Sequence, residues 1–586
     1  MPAGLRRLNV GDPLPQVMLS CELPKPVQPG LPKWLPLVSV AMAALFLIGL
    51  CSTEMADPDS WWHLRTGQYI LGQHRLPYPD PFAWTTAGAA ASYRSEEVTR
   101  RFNLTHEWLA QVVMYLVWVA GGYGSVVFGK ALLLAGMCGL AGWIAARRTG
   151  SWIWGVAAAA ASSSIASLFV SDRPALVTFF LVAVFTAIYE ARRPLWLLPL
   201  LGLLWANCHS GFFLGWVIAF AYSVEAFVEA RRGRAVPDAR SIWLASGAAV
   251  LATAVNPNGY RVLEVLLRYR QGALTSTLIE WRTPYLWGPP YAFDVLLYAA
   301  AIVLVVSWRR VRISDWILFV LFSAASLTAF RNIILTGFLA PILIATYFPW
   351  KRELPRVAQY ATPAILAAAL AWGISRGTFF QLRAAEWRYP AGAASFLREH
   401  GIPAPLFNTY EYGGYFIWRG QRVFIDGRAL SESVFDDYRK ILGSPPGDPV
   451  RAQMLAKYGV GAIAVNAFEY TSGVLYPLIL ALGNPAQTEW KLVYEDPQSL
   501  VFLRDVPAGM PVLPLARVTE HLMNECALHI ERNPEFSLCA RTLGDRFLRA
   551  GDRIRARRML GLYLEHPYFD DPEAKQAYQQ LLMSGK

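Results

Sequence analysis

The sequence predicts a polytopic α-helical membrane protein of about eleven spans, followed by a soluble α/β domain and a short tetratricopeptide-like helical tail. Hydrophobic residues make up 54% of the chain and charged residues only 16%, whereas soluble domains carry roughly 25% charged residues. The mean hydropathy is +0.30. The apolar residues fall in blocks between Trp34 and about Ser375, and the remainder has an ordinary soluble composition.

A membrane span needs about 20 apolar residues, and the apolar blocks of about that length define the predicted spans. These are 34–53, 123–146, 151–170, 174–190, 195–208, 211–228, 241–256, 291–308, 313–330, 332–350 and 357–375. No signal-peptide segment precedes Trp34, so the first span is predicted to be an uncleaved signal anchor behind a cytoplasmic tail, 1–33.

The net charge of +12 is concentrated between the apolar blocks. Basic clusters lie at Arg147–Arg148, Arg192–Arg193, Arg231–Arg232, Arg309–Arg310 and Lys351–Arg352. With the N-terminus inside, an odd number of spans places all these clusters in cytoplasmic loops, as the positive-inside rule requires. The C-terminal domain is then periplasmic, and the expected location is the inner (plasma) membrane. The soluble part has no basic stripe with interleaved aromatics, which argues against nucleic acid as a partner.

The long first outer loop, 53–122, is predicted to contain two amphipathic helices that lie on the membrane. One covers Ser60–Gly72 and the other Glu107–Ala120. Both are rich in aromatic residues, so Trp61 and Trp62 are expected at the level of the lipid headgroups.

Two carboxylates, Asp57 and Asp59, lie just before the first of these helices. They can cap the helix, because its N-terminus favours negative charge. They can also hold a divalent cation such as Mg²⁺ or Mn²⁺, or one can act as a general base while the other pairs a cation. Glu107, next to His106 at the start of the second helix, brings a third carboxylate to the same region.

Further unusual polar residues fall in the other predicted outer loops, where ionisable groups at membrane depth usually mark a site. Arg173, Arg282 and Arg331 offer planar guanidinium groups that suit phosphate. A soluble nucleotide donor has no evident binding motif: Gly124–Lys130 approaches a phosphate loop, but Ala131 stands where Ser or Thr is needed. We treat that match as coincidence and expect the activated group to arrive on a lipid.

The acidic motif, the interfacial helices and the many spans resemble the GT-C superfamily of membrane glycosyltransferases. That superfamily includes the protein O-mannosyltransferases, the aminoarabinose lipid A transferases and the catalytic subunits of oligosaccharyltransferases. The similarity is closest to a bacterial branch and covers Asp57 to about Arg428. Its segments are DPDSWWHLRTG, HEW, SDRPALVTF, WANCHSGFFLG, NPNGYRVL, IEWRTP, FRNI and YEYGGYFIWRGQRVFIDGR.

The resemblance implies that Asp57 or Asp59 is the catalytic base or a metal ligand, and that Glu107 assists. A sugar donor on polyprenyl phosphate or diphosphate would bind with its phosphate among Arg173, Arg331 and either Arg282 or His209. The full set of implied substrate-binding residues is His63, His106, Arg173, His209, Asn256, Glu280, Arg282, Arg331, Tyr412, Asp426 and Arg428. The segment YEYGGYFIWRGQRVFIDGR lacks the Trp pair with which oligosaccharyltransferases read an acceptor sequon. Asp172 is a single acid in the second outer loop, where oligosaccharyltransferases have a fuller acidic motif.

The membrane domain is predicted to span 34–378, the periplasmic α/β domain 379–510 and the helical tail 511–586. Predicted strands are 405–408, 423–426, 461–465, 491–494 and 500–503. Asp426-Gly427-Arg428 either faces the membrane cavity or forms a turn with a local ion pair. The tail resembles one tetratricopeptide unit and would dock a protein partner or cap the domain. Its two cysteines, Cys526 and Cys539, are either a disulfide or free thiols.

The resemblance, together with the predicted topology, thus implies a glycosyltransferase that moves a sugar from a polyprenyl-linked donor to a glycan, lipid or protein acceptor at the periplasmic face. One alternative is a transporter of lipid-linked or anionic solutes, which would need polar residues midway along its spans. The other is a non-catalytic membrane scaffold that binds partners through the helical tail.

Overall fold

The computed structural model describes residues 32–87, 90–93, 95–233, 239–269, 279–348, 355–402, 405–428 and 430–583. The predicted N-terminal tail up to residue 31 and the basic pair at 351–352 lie outside the described residues. The chain is largely helical, with apolar helices that could span a membrane and a small sheet, which confirms the predicted class at that level.

The first two thirds of the chain form a helical bundle whose helices begin and end near the predicted boundaries. The helices are α1 Trp34–Cys51, α2 Ser60–Gln73, α3 Glu96–Thr105, α4 Trp108–Thr149, α5 Trp152–Ala166, α6 Ala175–Ala191, α7 Leu197–Cys208, α8 Phe213–Arg231, α9 Ala239–Ala252, α10 Val262–Tyr269, α11 Tyr291–Val306, α12 Ile313–Thr328, α13 Ile333–Tyr347 and α14 Arg356–Ser375.

Within the described residues, six helices are long and apolar enough to cross a membrane, and five further apolar helices have 10–17 residues. Each predicted span overlaps one of these helices. The bundle therefore contains helices that could span a membrane, while the number of crossings and their orientation remain predictions.

The first outer loop contains three helical segments, α2, α3 and the beginning of α4, where the sequence predicted two. Helix α4 is bent at Gly121 and Gly122, and Gly122 has φ +62°. Glycine adopts a positive φ without steric cost. The bend therefore separates the loop part of α4 from the predicted span that begins at residue 123.

The indoles of Trp61 and Trp62 are buried in protein, which corrects the expected position at the headgroups. Trp61 is 1% exposed, and its ring packs edge-on against Tyr389, Tyr415 and Tyr123 with centroids 4.7, 4.9 and 5.6 Å away. Aromatic rings favour such edge-to-face contacts. The apolar face of α2 thus packs on the C-terminal part of the chain, a partner that helical periodicity alone cannot identify.

The C-terminal part is built on a four-stranded mixed sheet in the order β1-β2-β4-β3. Strand β1 is parallel to β2, and β4 is antiparallel to both β2 and β3. The elements are α15 Ala391–Glu399, β1 Leu406–Asn408, α16 Tyr410–Trp418, α17 Glu432–Gly443, α18 Pro449–Lys457, β2 Ala462–Val465, α19 Pro477–Leu482, β3 Lys491–Glu495, β4 Leu500–Leu503, α20 Ala516–Arg532, α21 Leu538–Arg549, α22 Arg553–Glu565 and α23 Pro572–Met583.

The predicted strand at 423–426 is the one that joins no sheet in the described residues, and its backbone binds the first outer loop instead. The amide of Val423 donates to the carbonyl of Phe82 at 3.1 Å, and the amide of Trp84 donates to the carbonyl of Val423 at 3.1 Å. Its apolar residues are buried, as a strand pattern requires. The pairing partner lies more than 300 residues away along the chain, so a local sequence pattern could not identify it.

The helical tail packs on the α/β domain and shares its hydrophobic core. The buried carboxylate of Glu525 accepts the backbone amide of Ala467 at 3.0 Å, at the end of β2. Cys526 and Cys539 form a disulfide that joins α20 to α21. This resolves the alternative left open by the sequence and ties the first two tail helices together.

A buried ion cluster joins five helices at the end of the bundle opposite the first outer loop. Arg148, at the end of α4, contacts Glu190 at 2.7 Å and Asp315 at 2.9 Å. Arg312 bridges Glu190 and Glu225 at 2.9 and 3.1 Å. Tyrosine hydroxyls from α8 and α13 donate to the same carboxylates. The cluster holds the ends of these helices together through ion pairs and hydrogen bonds.

Replacement of Arg148 by Met is expected to destabilise the fold strongly. It leaves Glu190 and Asp315 buried without their shared cation, and breaking a buried pair in this way costs about 3–5 kcal/mol. Thermal unfolding of the purified protein in detergent measures the effect. Arg147→Met, at the exposed neighbouring position, is the matched control and should leave the melting temperature within about a degree or two. Equal melting temperatures for the two variants would contradict a stabilising cluster.

Candidate functional site

A cavity of about 540 Å³ lies where the bundle end that carries the first outer loop meets the α/β domain. Its wall combines the first outer loop, the turns before α6, α8 and α13, and Gly427, Arg428, Leu430 and Glu432 of the α/β domain. Among the predicted site residues, those that line it are Asp59, His63, His106, Glu107, Arg173, His209, Glu280, Arg331 and Arg428. The cavity therefore joins residues that are up to about 370 positions apart in the sequence.

Asp57 and Asp59 both contact Arg173, which stands just before α6. The guanidinium lies 2.5 Å from Asp57 Oδ2 and 3.1 Å from Asp59 Oδ2. The side chain of Asp59 makes no capping bond to α2, whereas Asp57 Oδ1 accepts the backbone amide of Asp59 at 3.0 Å. Asp57 is thus the acid that fixes the turn, and Asp59 is the one whose side chain faces the cavity.

The two acids have opposite pKa shifts because they share one arginine unequally. Burial raises the pKa of Asp59 to about 6; the nearby charge of Asp57 adds to this rise, while Arg173 opposes it. Burial also acts on Asp57, but the closer contact with Arg173 outweighs it and lowers the pKa of Asp57. Neighbouring acids with separated pKa values are typical of acid–base sites. Asp59 can therefore exchange a proton near neutral pH while Asp57 stays ionised.

The α/β domain closes directly over Asp59. A Cβ atom at Gly427 would overlap Asp59 Oδ1. Glycine, which has no Cβ, therefore permits this close approach. The position of Asp59 therefore depends on how the α/β domain sits on the first outer loop.

Glu107 is surrounded by three imidazoles from three different segments. His106 Nε2 lies 3.2 Å from Glu107 Oε1, His63 Nδ1 lies 3.6 Å from Oε2, and His209 Nε2 lies 3.6 Å from Oε1. His209 is oriented by Gly211, whose backbone amide donates to its Nδ1 at 3.0 Å. This cluster forms a second titratable group in the cavity beside the Asp57–Arg173–Asp59 bridge.

The arginines of the cavity differ in how firmly they are paired. Arg428 is buried and binds Asp80 at 2.7 Å and Asp426 at 2.6 Å, so its charge is fully committed to the turn and the first outer loop. Arg331 is 3.5 Å from Glu280, its side chain is 29% exposed, and it stacks on Trp281. Arg331 is therefore the cavity arginine with the weakest protein contact and the one best able to bind an anion.

Several predicted substrate-binding residues lie away from the cavity wall. Asn256 stabilises its own turn by donating to the carbonyls of Thr253 and Gly259. Tyr412 is fully buried in the α/β core, where its hydroxyl donates to the carbonyl of Gln498. Arg282 is exposed and does not line the cavity. Asp426 forms an ion pair with Arg428. The polar groups of Asn256, Tyr412 and Asp426 stabilise the local fold, which a sequence motif does not distinguish from substrate contact.

Other important residues were not predicted from the sequence. Asp80, in the segment YPDPF, accepts hydrogen bonds from both terminal nitrogens of Arg428. Its position between two prolines is a sequence signal of an ordered loop. Lys130, in the segment we treated as a chance match to a phosphate loop, lies inside α4 and pairs with the buried Asp172 at 2.8 Å. This pair fixes the turn that carries Arg173.

The donor residues do not fit the divalent cation that the sequence left open. The guanidinium of Arg173 already stands between Asp57 and Asp59, where a cation would have to bind. Among the described residues, no group of three or more His, Cys, Asp or Glu side chains has an arrangement that suits a metal ion. We therefore derive no chemical step through a metal.

Neither a protein-family model nor a curated protein matches this chain. The resemblance to the GT-C superfamily thus remains an expectation from sequence motifs, and the function has to be argued from the site itself.

Introducing a methyl group at Gly427 is expected to displace Asp59 or the domain that covers it. Gly427→Ala should lower stability by about 1–3 kcal/mol, the usual cost of overpacking a tight contact. Gly443→Ala, at an exposed helix end with open space around the Cβ position, is the matched control. Melting temperatures measured side by side test this: a decrease confined to Gly427→Ala supports the contact, and two unchanged values refute it.

Proposed function

We propose that this protein is a membrane glycosyltransferase that moves a sugar from a polyprenyl phosphate or diphosphate donor to an acceptor. The observation that carries the proposal is Asp59. It is a cavity-facing acid whose pKa is raised to about 6, held beside an ionised partner by a shared arginine. The reaction would take place at the predicted periplasmic face of the inner membrane.

Asp59 is the general base in this proposal. It accepts the proton of the acceptor hydroxyl or amide group as the oxygen or nitrogen of that group bonds to the anomeric carbon of the sugar. Asp57 keeps Arg173 in place, and the guanidinium holds the Asp59 carboxylate in position. The bond from the anomeric carbon to the phosphate oxygen breaks, and its electron pair stays on that oxygen.

Arg331 is the main contact for the donor phosphate, a role the sequence distributed over Arg173, Arg331, Arg282 and His209. Arg173 is held by two carboxylates and Arg282 lies off the wall, whereas Arg331 is half-buried and weakly paired. Guanidinium groups bind phosphate oxygens with strong, directional hydrogen bonds. Breaking the ion pair between Arg331 and Glu280 costs little free energy, because that contact is long and partly exposed to solvent.

The rest of the wall suits a lipid-linked donor and a separate acceptor. Apolar side chains from the bundle line one side, among them Phe179, Phe213 and Leu335. The first outer loop and residues Gly427, Arg428, Leu430 and Glu432 of the α/β domain also line the cavity. The lipid would enter from the bundle, and a glycan, lipid or protein acceptor would approach between the loop and the domain.

The asymmetry of the bundle favours an enzyme over a transporter. The predicted site residues that line the cavity gather at one end, and at the other end Arg148, Glu190 and Asp315 bind one another. A transporter would need a polar route to both ends of the bundle.

Transfer is expected to depend on pH through Asp59. Only the ionised carboxylate accepts a proton, so activity should fall as the pH decreases through about 6 and should be constant above it. An ordinary Asp would remain ionised down to about pH 4. Sugar transfer from a radiolabelled polyprenyl-linked donor, assayed in nanodiscs between pH 4.5 and 8.5, measures the profile.

Two variants complete this experiment. Asp59→Asn should reduce turnover on the order of 100-fold or more, the usual contribution of a general base, while folding and donor binding persist. Asp57→Asn should retain activity but move the low-pH limb to lower pH, because Arg173 then serves Asp59 alone. If Asp59→Asn transferred sugar at the wild-type rate, the catalytic role would be ruled out and the non-catalytic scaffold would be favoured.

Arg331→Met is expected to weaken binding of the lipid phosphate by on the order of 10- to 100-fold, the effect of losing one charged hydrogen-bond donor. Arg282→Met is the matched control, because Arg282 lies near Arg331 in the fold but off the cavity wall. Dissociation constants for undecaprenyl phosphate in nanodiscs decide the matter. A similar loss in both variants would point to a general charge effect and remove Arg331 from the site.

A further inference from the structure

The hydrogen bonds of His209 determine which of its ring nitrogens carries the hydrogen. The backbone amide of Gly211 donates to His209 Nδ1 at 3.0 Å, and a backbone amide can only donate. The hydroxyl oxygen of Thr178 lies 2.8 Å from the same nitrogen. The indole of Trp205 donates to that oxygen at 2.8 Å, so the hydroxyl hydrogen is left to point at the imidazole. Two donors therefore meet at Nδ1, and the ring hydrogen is on Nε2.

The same contacts keep the imidazole of His209 neutral. A second ring hydrogen, on Nδ1, would point at the amide hydrogen of Gly211, and two donors cannot bond to each other. Burial acts in the same direction and lowers the pKa of His209 to about 3. His209 is thus a neutral donor with a fixed orientation, whereas the arginines of the cavity are always charged.

The donor nitrogen of His209 lies beside an acceptor. His209 and Glu107 both line the cavity, and Nε2 is 3.6 Å from Glu107 Oε1, longer than the roughly 2.7–3.2 Å of an N–H···O hydrogen bond. Burial would raise the pKa of Glu107, but the imidazoles around it, His106 foremost, outweigh burial and lower the pKa. A carboxylate oxygen accepts two hydrogen bonds, so Oε1 can bind a ligand as well as His106.

A hydroxyl group is the ligand that matches this pair of groups. Its oxygen can accept the hydrogen on His209 Nε2 while its own hydrogen is donated to Glu107. A phosphate oxygen could also accept from Nε2, but it would bring a second negative charge next to the Glu107 carboxylate, which is unfavourable. Phosphate fits the weakly paired Arg331 in the same cavity better. The charges therefore favour a neutral hydroxyl at His209 over the phosphate that the sequence suggested.

We propose that His209 and Glu107 form a binding site for one hydroxyl of a sugar, in which His209 donates a hydrogen bond and Glu107 accepts one. This inference rests on the proposed glycosyl transfer and assigns the part of its site that selects the sugar. No proton changes owner in this contact, so the two residues determine specificity. The hydroxyl can belong to the sugar on the lipid donor or to a glycan acceptor, and the test separates these two sources.

The first measurement is the tautomer of His209 in the full-length protein in nanodiscs. Solid-state nitrogen NMR of ¹⁵N-histidine-labelled protein at about pH 7, with the His209 signals assigned by their loss in His209→Leu, should show a bare Nδ1 and a protonated Nε2. A hydrogen on Nδ1, in either a neutral or a charged ring, would overturn the proposal.

The second measurement compares the binding of undecaprenyl phosphate with that of undecaprenyl phosphate linked to glucose, mannose or galactose. At least one sugar should strengthen binding to the wild type. His209→Leu should weaken binding of that sugar lipid about tenfold, as expected for one lost hydrogen bond, and leave undecaprenyl phosphate within about twofold. His209→Gln, which keeps a neutral donor, should retain part of the preference. His400→Leu, at an exposed histidine that does not line the cavity, is the matched control and should change neither constant.

An equal loss for both lipids in His209→Leu would assign His209 to the phosphate and overturn the hydroxyl contact. The methyl glycosides of the same sugars, added to protein loaded with undecaprenyl phosphate, test the other source. An effect of His209→Leu on the glycosides alone would place the hydroxyl on the acceptor, and no effect on either set of sugars would overturn the proposal. Failure of the proposed glycosyl transfer is recognised separately: the wild type would bind the sugar through His209 but would not transfer it.

Discussion

The bridge of Arg173 to Asp57 and Asp59 is the interaction on which the rest of the site depends. It joins the first outer loop to the start of α6 and sets two largely buried carboxylates beside one guanidinium. Burial and the neighbouring charge of Asp57 both disfavour ionisation of the second acid, so the pKa of Asp59 is raised to about 6. The repulsion between the two carboxylates that share Arg173 therefore also gives the cavity a titratable group, Asp59.

The burial of that bridge requires the α/β domain to cover the loop. Trp61 inserts among the tyrosines of the domain, the 423–426 segment pairs with the loop backbone, and Gly427 lies against Asp59. Arg428 extends the same contact by binding Asp80 of the loop. Loop and domain therefore act as one unit, and the cavity exists because the bundle and this unit meet around charges that neither could bury alone.

The sequence predicted the positions of helices and strands better than it predicted which parts of the chain they pack against. Apolar runs located the bundle helices because the length and hydropathy of a helix are local properties. Amphipathicity places the tryptophans of α2 at the membrane interface because it shows that a face is apolar but not what covers it. The motifs place Asn256 and Tyr412 in the site because a polar residue in a motif looks the same whether it binds a ligand or its own backbone. Choosing between Asp57 and Asp59 needed the position of Arg173, which long-range folding sets.

The charge balance of the cavity also bears on the class of donor. The three arginines that line the cavity already contact Asp57, Asp59, Glu280, Asp80 and Asp426 before any ligand arrives. A phosphate must then displace a carboxylate from an arginine, and charge alone gives little affinity. A polyprenyl tail supplies what is missing, since each buried methylene contributes about 0.8 kcal/mol. The apolar bundle side of the cavity is where such a chain would lie, whereas a soluble nucleotide sugar would bring more charge and no tail.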